Sequence, residues 1–252
     1  MSPLTIVIIV VIVVLIFMIL RYLFSTPNTL QGSVQSGQTS SHIAASSLAT
    51  DGSNAPATNF TYSYWFYVND WNYRYGHKKV LFGRMGASLP GGSIDNLDKL
   101  QPCPAVILGA IENNLAITLA CFGVADGEAQ ADGENNTVNH TCVVSNIPIQ
   151  RWVNLLISVY GRTLDVYLDG KLVRTCLLPG IAAVKNNAPV IVTPMGGFDG
   201  WTSKLQYWPN SYNPQQAWNT YLQGYRGSSF GSDYQVQVSL LENGSTQSTY
   251  TI

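Results

Sequence analysis

The chain opens with a nearly unbroken hydrophobic run. From Leu4 to Leu20 the only polar side chain is Thr5, and the run continues to residue 24, which gives 21 residues in all. As an α-helix this segment would be about 31 Å long, close to the roughly 30 Å hydrocarbon thickness of a bilayer. The pattern therefore predicts that residues 1–24 form a membrane anchor, in which residues 4–24 cross the lipid bilayer once as a transmembrane helix.

A cleaved signal peptide is the weaker alternative for this segment. No basic region precedes the hydrophobic run, and no small-residue cleavage site follows it closely. We therefore expect a single-pass membrane protein that keeps its anchor. Arg21 is the only basic side chain near either end of the run, so the orientation in the membrane stays open.

Residues 25–58 differ sharply in composition from the anchor. They are rich in Ser, Thr, Gln, Asn, Gly and Ala, and Asp51 is the only acidic or basic residue besides His42. Such a segment buries too little apolar surface to offset the entropy lost on ordering. The composition predicts a flexible stalk, and packing of part of it along a neighbouring molecule is the alternative.

From residue 59 onward the hydrophobic pattern has a period of two, which is typical of β-strands. Strand-like runs lie at 60–70, 80–82, 105–108, 115–122, 141–144, 190–193 and 204–208. The clearest stretch is 152–178, where apolar residues alternate along two runs and the Asp169-Gly170 pair predicts a tight hairpin. This stretch predicts a three-stranded meander. Residues 59–226 are expected to form an all-β sandwich, and 227–252 an extension with a possible edge strand at 234–240.

Three segments of the predicted sandwich resemble a known family. IPIQRWVNLLISVYGRTLDVYLDGKLVRTCLLPG, at 147–180, resembles the central signature of laminin G-like domains in the concanavalin A-like lectin and glucanase superfamily. TYSYWFYVND at 61–70 is similar to an early strand of these domains, and GGFDGWTSKLQYWPNSYNPQQAWNTYLQG at 196–224 to a closing strand followed by a short helix. The resemblance implies a jelly-roll sandwich of two antiparallel sheets.

Charge and cysteine content exclude some functions. Only 11% of the residues are charged and the formal net charge is -1, so the basic surface needed for nucleic-acid binding is not expected. The four cysteines contain no C-x-x-C pair, which argues against a thiolate metal site. Disulfides and buried free thiols both remain open.

The acidic residues do not form a catalytic pattern. Glycosidases that share this superfamily's fold carry paired carboxylates on one strand, because an acid and a nucleophile must flank the glycosidic bond. This chain has no such run, and its nearest candidates, Asp165 and Asp169, are expected to face solvent and to occupy a turn. The sequence predicts a protein that is not an enzyme and that needs no cofactor.

A cluster of aromatic residues follows the first long strand. Trp71, Tyr73, Arg74 and Tyr75 combine rigid rings with a guanidinium, a composition typical of protein interfaces and of sugar-binding platforms. The alternative is that about half of them cap the core. A second aromatic set is expected to pack against the closing strand and helix: Trp201, Trp208, Trp218 and Tyr221.

Two further kinds of site are suggested by local motifs. A loop contains Asp126, Glu128, Asp132 and Glu134, whose carboxylates could bind Ca²⁺, although a solvated acidic loop is the favoured interpretation. N-x-[ST] triplets, which are possible N-glycosylation acceptors, occur at Asn59, Asn135, Asn139 and Asn243.

These features together predict a membrane-anchored interaction or structural protein whose sandwich contacts neighbouring proteins. A short N-terminal tail, an anchor, a polar stalk and a laminin G-like domain resemble the architecture of membrane-linked minor capsid proteins of large icosahedral DNA viruses. That resemblance implies a virion protein that ties the capsid to an internal membrane. The alternative is a glycan-binding surface protein, because lectins share the fold; a glycoside hydrolase is the less favoured third possibility.

Overall fold

The computed structural model describes residues 28–48, 57–85, 101–123, 137–185, 187–225, 237–242 and 245–251, together with residues 12, 14 and 15. The chain divides into two compact units, one formed by residues 28–227 and the other by 1–27 with 228–252. In the second unit, residues 12, 14 and 15 are helical, and β14 (Gln237–Glu242) pairs with β15 (Ser245–Thr251) as an antiparallel hairpin. Residues 237–240 of the strand expected at 234–240 thus belong to a hairpin, and residues 234–236 lie outside the described residues.

Residues 28–227 contain two antiparallel sheets that form a sandwich, which confirms the predicted all-β class. Within the described residues, the larger sheet has the order β1 (Thr29–Gln31), β13 (Asp199–Trp208), β4 (Phe60–Asp70), β9 (Trp152–Tyr160), β10 (Thr163–Leu168) and β11 (Lys171–Leu177), with β2 (Gln35–Ser36) also on β13. The smaller sheet has the order β3 (Ser41–Ile43), β12 (Val190–Val192), β5 (Lys79–Arg84), β6 (Ala105–Leu108), β7 (Asn114–Phe122) and β8 (Thr137–Ser145).

The core lies between the two sheets and follows the period of two in the sequence. The apolar residues of β9 at 153, 155, 157 and 159 are almost fully buried in it. Tyr62, Tyr64 and Phe66 of β4 face the same core and contact Phe82 or one another through their rings. The predicted meander is confirmed, since β10 pairs with both β9 and β11.

The prediction of a flexible stalk is wrong for residues 28–48. Thr29 of β1 lies opposite Gln206 of β13, and β3 pairs with β12 at the edge of the smaller sheet. The Gln31 side-chain amide also donates to the Thr202 hydroxyl at 3.2 Å. Backbone pairing with the sheet edges stabilises this polar segment, and composition alone does not reveal such long-range pairing. Residues 49–56 lie outside the described residues.

Among the described residues, no helix is both long enough and apolar enough to cross a membrane. Apart from residues 12, 14 and 15, the segment 4–24 lies outside the described residues. The transmembrane anchor therefore stays a prediction.

The short helix expected after the closing strand is α1 (Pro214–Leu222). Asn213 caps its first turn: its side chain accepts from the Gln216 N–H, and the Gln216 side chain accepts from the Asn213 N–H. The buried Lys204 ammonium, which belongs to β13, donates to the Gly224 carbonyl just beyond the helix at 3.3 Å. The capping box closes the first turn of the helix, and the Lys204 contact ties its C-terminal end to the larger sheet.

A disulfide joins the two sheets. It links Cys142 of β8 to Cys176 of β11, which are edge strands of different sheets. Cys103 and Cys121 are buried free thiols. The sequence left both disulfides and buried free thiols open. One pair of cysteines forms a disulfide, and the other pair stays as buried free thiols.

Candidate functional site

A cleft of about 430 Å³ lies on the outer face of the smaller sheet. Because Leu115 and Ile117 point into the core, the intervening Ala116 and the next Thr118 face outward on β7. Ile107 and Ala116 form an apolar floor. The polar side chains that line the cleft are Lys78, Glu112, Asn114, Thr118 and Thr141.

The turn at 109–113, which forms one wall of the cleft, is held from several sides. The Asn113 side-chain amide donates to the Ile147 carbonyl at 2.8 Å. The Trp71 indole N–H donates to the Ile111 carbonyl at 3.2 Å, and the Gly76 N–H donates to the Ala110 carbonyl at 3.0 Å. The position of this wall is therefore set by hydrogen bonds within the protein.

The structure places the predicted aromatic loop beside this cleft, but it does not gather the four side chains into one platform. Trp71 is half-buried against the core. The Tyr73 hydroxyl donates to the Gly196 carbonyl at 3.0 Å, and the Arg74 guanidinium donates to the Met195 carbonyl. Tyr75, which is 56% exposed, is the member of the set that reaches solvent most fully.

A buried cation lies beneath the aromatic loop. The Lys79 ammonium is 5.0 Å from the centre of the Trp71 ring, an arrangement that favours a cation–π contact. Burial lowers the pKa of Lys79; nearby Arg74 lowers it further and Asp70 opposes the shift. Lys79 thus packs its ammonium group against the face of the Trp71 ring, whereas its neighbour Lys78 lines the cleft.

Sequence reasoning missed a row of aromatic rings on the outer face of the larger sheet. The Tyr67 ring lies 5.3 Å from the ring of Trp201 and 5.9 Å from that of Trp152, and Trp152 stacks on Tyr225 at 4.3 Å. Trp201 is 44% exposed, so it does not lie in the core as expected. The alternation of inward and outward positions along β4 could have identified these outward rings. Almost every position of β4 is aromatic or apolar, however, so the alternation is not visible in the sequence.

The other members of the second aromatic set lie around α1. Trp218 is 36% exposed on the helix, whereas Tyr221 stacks on Trp65 of the sheet at 5.6 Å. The ring of Trp208 contacts that of Tyr212 at 4.7 Å. Tyr221 and Trp208 therefore pack against neighbouring rings, as the sequence predicts. Trp218 is more exposed than the sequence predicts.

Asp165 and Asp169, the two carboxylates that come nearest to a catalytic pair in the sequence, both have partners within the protein. Asp165 accepts a hydrogen bond from the Thr175 hydroxyl at 2.6 Å. Asp169 pairs with Arg151 and accepts from the Asn154 N–H at 3.0 Å, at a turn position with a φ of 50°. Each carboxylate thus fixes local strand or turn geometry.

The predicted calcium ligands lie outside the described residues, within 124–136. In the part of the chain that is described, no group of three or more His, Cys, Asp or Glu side chains could hold a metal ion. The calcium site stays a prediction.

Two of the four predicted glycosylation acceptors can be located. The Asn59 side-chain oxygen accepts from the Gly161 N–H at 2.8 Å, and Thr61 of the same triplet is buried. Asn139 is half-buried on β8, opposite Ala120 of β7. Asn135 and Asn243 lie outside the described residues.

Comparison with known proteins shows a likeness in fold. The binding domain of botulinum neurotoxin serotype G aligns with a TM-score of 0.50 and 11% identity, covering 78% of this chain and 50% of that one. The serotype D binding domain aligns with a TM-score of 0.47 and 10% identity, covering 77% and 50%. The chain thus spans about half the length of these structures. No protein-family model and no curated protein matches the sequence.

Proposed function

We propose that the sandwich is a non-enzymatic binding domain, held at a membrane by residues 4–24, that recognises a carbohydrate in the cleft of the smaller sheet. The observation that carries this proposal is the cleft, whose apolar floor is surrounded by hydroxyl, amide, carboxylate and ammonium groups. Its volume of about 430 Å³ is within the range of small-ligand sites in proteins. A laminin G-like assignment of the sandwich, whose superfamily includes lectins, is part of the same proposal.

The chemistry of the cleft suits a sugar ring. A pyranose has a face of C–H groups, which would pack on Ile107 and Ala116, and an edge of hydroxyls that need both donors and acceptors. The hydroxyls of Thr118 and Thr141 are 2.9 Å apart, so one donates to the other and the pair keeps one O–H and free lone pairs for a ligand. The Asn114 amide is oriented by the Glu112 carboxylate at 3.3 Å.

Blocking the cleft is expected to abolish sugar binding. Replacement Ala116→Trp would fill the cleft from its floor, because residue 116 faces outward, and a glycan array followed by calorimetry on the full chain should show no remaining affinity. Thr118→Val removes one hydroxyl and is expected to weaken binding roughly 5- to 20-fold.

Trp201→Ala is the matched control for these two variants. It removes an exposed ring from the larger sheet, and it is expected to leave sugar affinity unchanged. If Trp201→Ala abolished binding while Ala116→Trp did not, the cleft would be the wrong site. If the wild-type chain bound no sugar, the proposal would fail.

The anchor makes a separate prediction. The full chain is expected to float with phosphatidylcholine vesicles in a density gradient at high salt, because a 21-residue apolar segment crosses the bilayer. A chain that begins at Asn28 is expected to stay at the bottom of the gradient. A full chain that washes off the vesicles in high salt would contradict the anchor.

A protein partner is the competing occupant of the sandwich surface. The architectural resemblance to membrane-linked minor capsid proteins supports it, and the aromatic row on the larger sheet, with its exposed Trp201, provides a suitable surface. Recovery of the chain from purified virions in fixed stoichiometry, with no sugar affinity, would replace the carbohydrate proposal by a role in tying a capsid to its membrane.

A further inference from the structure

Strand β11 forms one edge of the larger sheet. Among the described strands it pairs with β10 alone, so its other side is open. Residues 171–175 and Leu177 are exposed, whereas Cys176 is buried and holds the strand to β8 through the disulfide. An open edge presents backbone donors and acceptors with which another extended chain can pair.

Strand register shows which backbone groups face the open side. The Leu178 N–H donates to the Arg162 carbonyl, just before β10, at 2.8 Å. Residues that bond across an antiparallel ladder alternate with residues that do not, so residue 176 bonds to β10 whereas Thr175 and Leu177 do not. The N–H and C=O groups of Thr175 and Leu177 therefore point away from β10, toward the open side.

The face of β11 that continues the core side of the sheet is basic. Arg174 lies opposite Val166, a core residue of β10. Lys171 lies opposite Leu168, which packs against the same core. Val173 is an extra residue in the strand, and this bulge places Arg174 and Lys171 on one face, although simple alternation would separate them. Both side chains are exposed, so β11 presents two cations on its inner face.

The outer face of β11 is apolar. Leu177 is 70% exposed and Leu172 is 51% exposed on this face. The ring of Trp218 in α1 lies beside Gly170, just before β11, where an added Cβ would come within 2.8 Å of the ring. The outer side of this edge is thus lined with apolar side chains from β11 and α1.

Carboxylates among the described residues do not neutralise the basic inner face. Within that part of the chain, neither Lys171 nor Arg174 takes part in an ion pair. Asp165 of β10 lies opposite Thr175 on the outer face, where it accepts a hydrogen bond from the Thr175 hydroxyl. Negative charge on a partner would therefore be attracted to the inner face and repelled at the outer one.

We propose that β11 is a docking edge for an extended, acidic segment of a partner protein, which adds to the larger sheet as an antiparallel strand. The outward backbone groups of Thr175 and Leu177 would pair with the backbone of that segment. Successive side chains of a strand point to opposite faces. Carboxylates at alternate positions would therefore meet Lys171 and Arg174, and apolar side chains at the positions between them would meet Leu177.

A protein strand of opposite charge fits this edge better than other occupants do. A second copy of β11 would bring a second Lys171 and Arg174 to the same edge, so repulsion between like charges opposes self-pairing. A sugar lacks the regular spacing of N–H and C=O groups with which the edge can pair. The edge belongs to the larger sheet and the proposed sugar cleft to the smaller one, so the two proposals stand independently.

Fluorescence anisotropy on the full chain in detergent tests the docking edge. The probe is a short fluorescein-labelled peptide of alternating valine and glutamate, and a second peptide carries lysine in place of each glutamate. Arg174→Glu reverses one charge of the inner face. Lys185→Glu is its matched control, because it makes the same change in net charge at an exposed position outside β11.

Thr175→Pro tests the backbone pairing separately. The Thr175 N–H points away from β10, so proline removes a donor from the open edge and leaves the ladder to β10 in place. Circular dichroism and the urea midpoint check that every variant folds.

The wild-type chain is expected to bind the glutamate peptide and not the lysine peptide. Arg174→Glu should weaken binding of the glutamate peptide roughly tenfold and make the lysine peptide the better ligand. Thr175→Pro should weaken binding of the glutamate peptide by a similar factor. Lys185→Glu should change it by less than roughly twofold, because solvent and salt screen a distant exposed charge.

Three results would overturn the proposal. The first is no binding of the glutamate peptide to the wild-type chain. The second is equal weakening by Arg174→Glu and Lys185→Glu, which would show an effect of net charge alone. The third is binding that Thr175→Pro leaves unchanged, because an added strand needs the open backbone of β11.

Discussion

Between pH 8 and pH 11 the contribution of three buried side chains to the unfolding free energy of the sandwich is expected to fall by about 6 kcal/mol. Tyr62, Tyr64 and Cys103 are almost completely buried, and burial raises the pKa of each above its ordinary value. Above the ordinary pKa values, the unfolded chain releases these three protons while the folded chain keeps them. Stability therefore falls as pH rises through about 9 to 11. A loss of this size is comparable to the whole stability of many domains.

Two buried lysines act in the opposite direction. Burial lowers the pKa of Lys79 and of Lys204, so the folded chain loses these protons at a lower pH than the unfolded chain does. Their contribution rises between the lowered pKa and the ordinary value near 10.5, and it levels off above that value. The tyrosine and cysteine contributions keep falling over the same range.

Urea unfolding between pH 8 and pH 11, followed by tryptophan fluorescence, measures the effect. The variant Tyr64→Phe is the control: it removes one of the titrating groups, so the slope of stability against pH between 10 and 11 should decrease by about 1 kcal/mol per pH unit. If Tyr64→Phe and the wild type had the same slope above pH 10, the Tyr64 hydroxyl would ionise as readily in the folded chain as in the unfolded one.

Removal of the disulfide is the second large effect. The double variant Cys142→Ser/Cys176→Ser is expected to unfold with about 4 kcal/mol less free energy than the wild type, because the bond closes a loop of 34 residues in the unfolded chain. The bond also ties β8 to β11, the strands at which the two sheets would otherwise begin to separate.

A reducing agent provides the control for this variant. It should destabilise the wild-type protein by the same amount and leave the double variant unchanged. Urea unfolding at pH 7 in the presence and absence of reductant makes the comparison. A difference below about 1 kcal/mol between the oxidised wild type and the double variant would contradict the expected effect.

The sheets could be predicted where one face of a strand differs from the other. In β9 the inward residues Val153, Leu155 and Ile157 are apolar, whereas Asn154 and Ser158 occupy outward positions, so the period of two is visible in the sequence. In β4 the outward residues Trp65 and Tyr67 are as aromatic as their inward neighbours. The strand was predictable there, but the two faces were not distinguishable.

Contacts between distant parts of the chain could not be predicted from local pattern. β1 and β3 are three residues each and mostly polar, and their order depends on pairing with β13 and β12 at more than 140 residues' separation. The cleft likewise depends on how the turn at 109–113 is held by Trp71 and Asn113. The aromatic loop was identified from its composition, whereas its partners required the folded chain.

Pairing of β1 with β13 has a mechanical consequence. Tension applied to the N-terminal segment would be carried first by the few backbone hydrogen bonds of this three-residue strand, rather than by the sandwich core. If they broke and the remaining contacts of residues 28–48 followed, this segment would extend by up to roughly 70 Å while the core sheets stayed intact. The domain would then have two lengths of tether, a short one at rest and a long one under load.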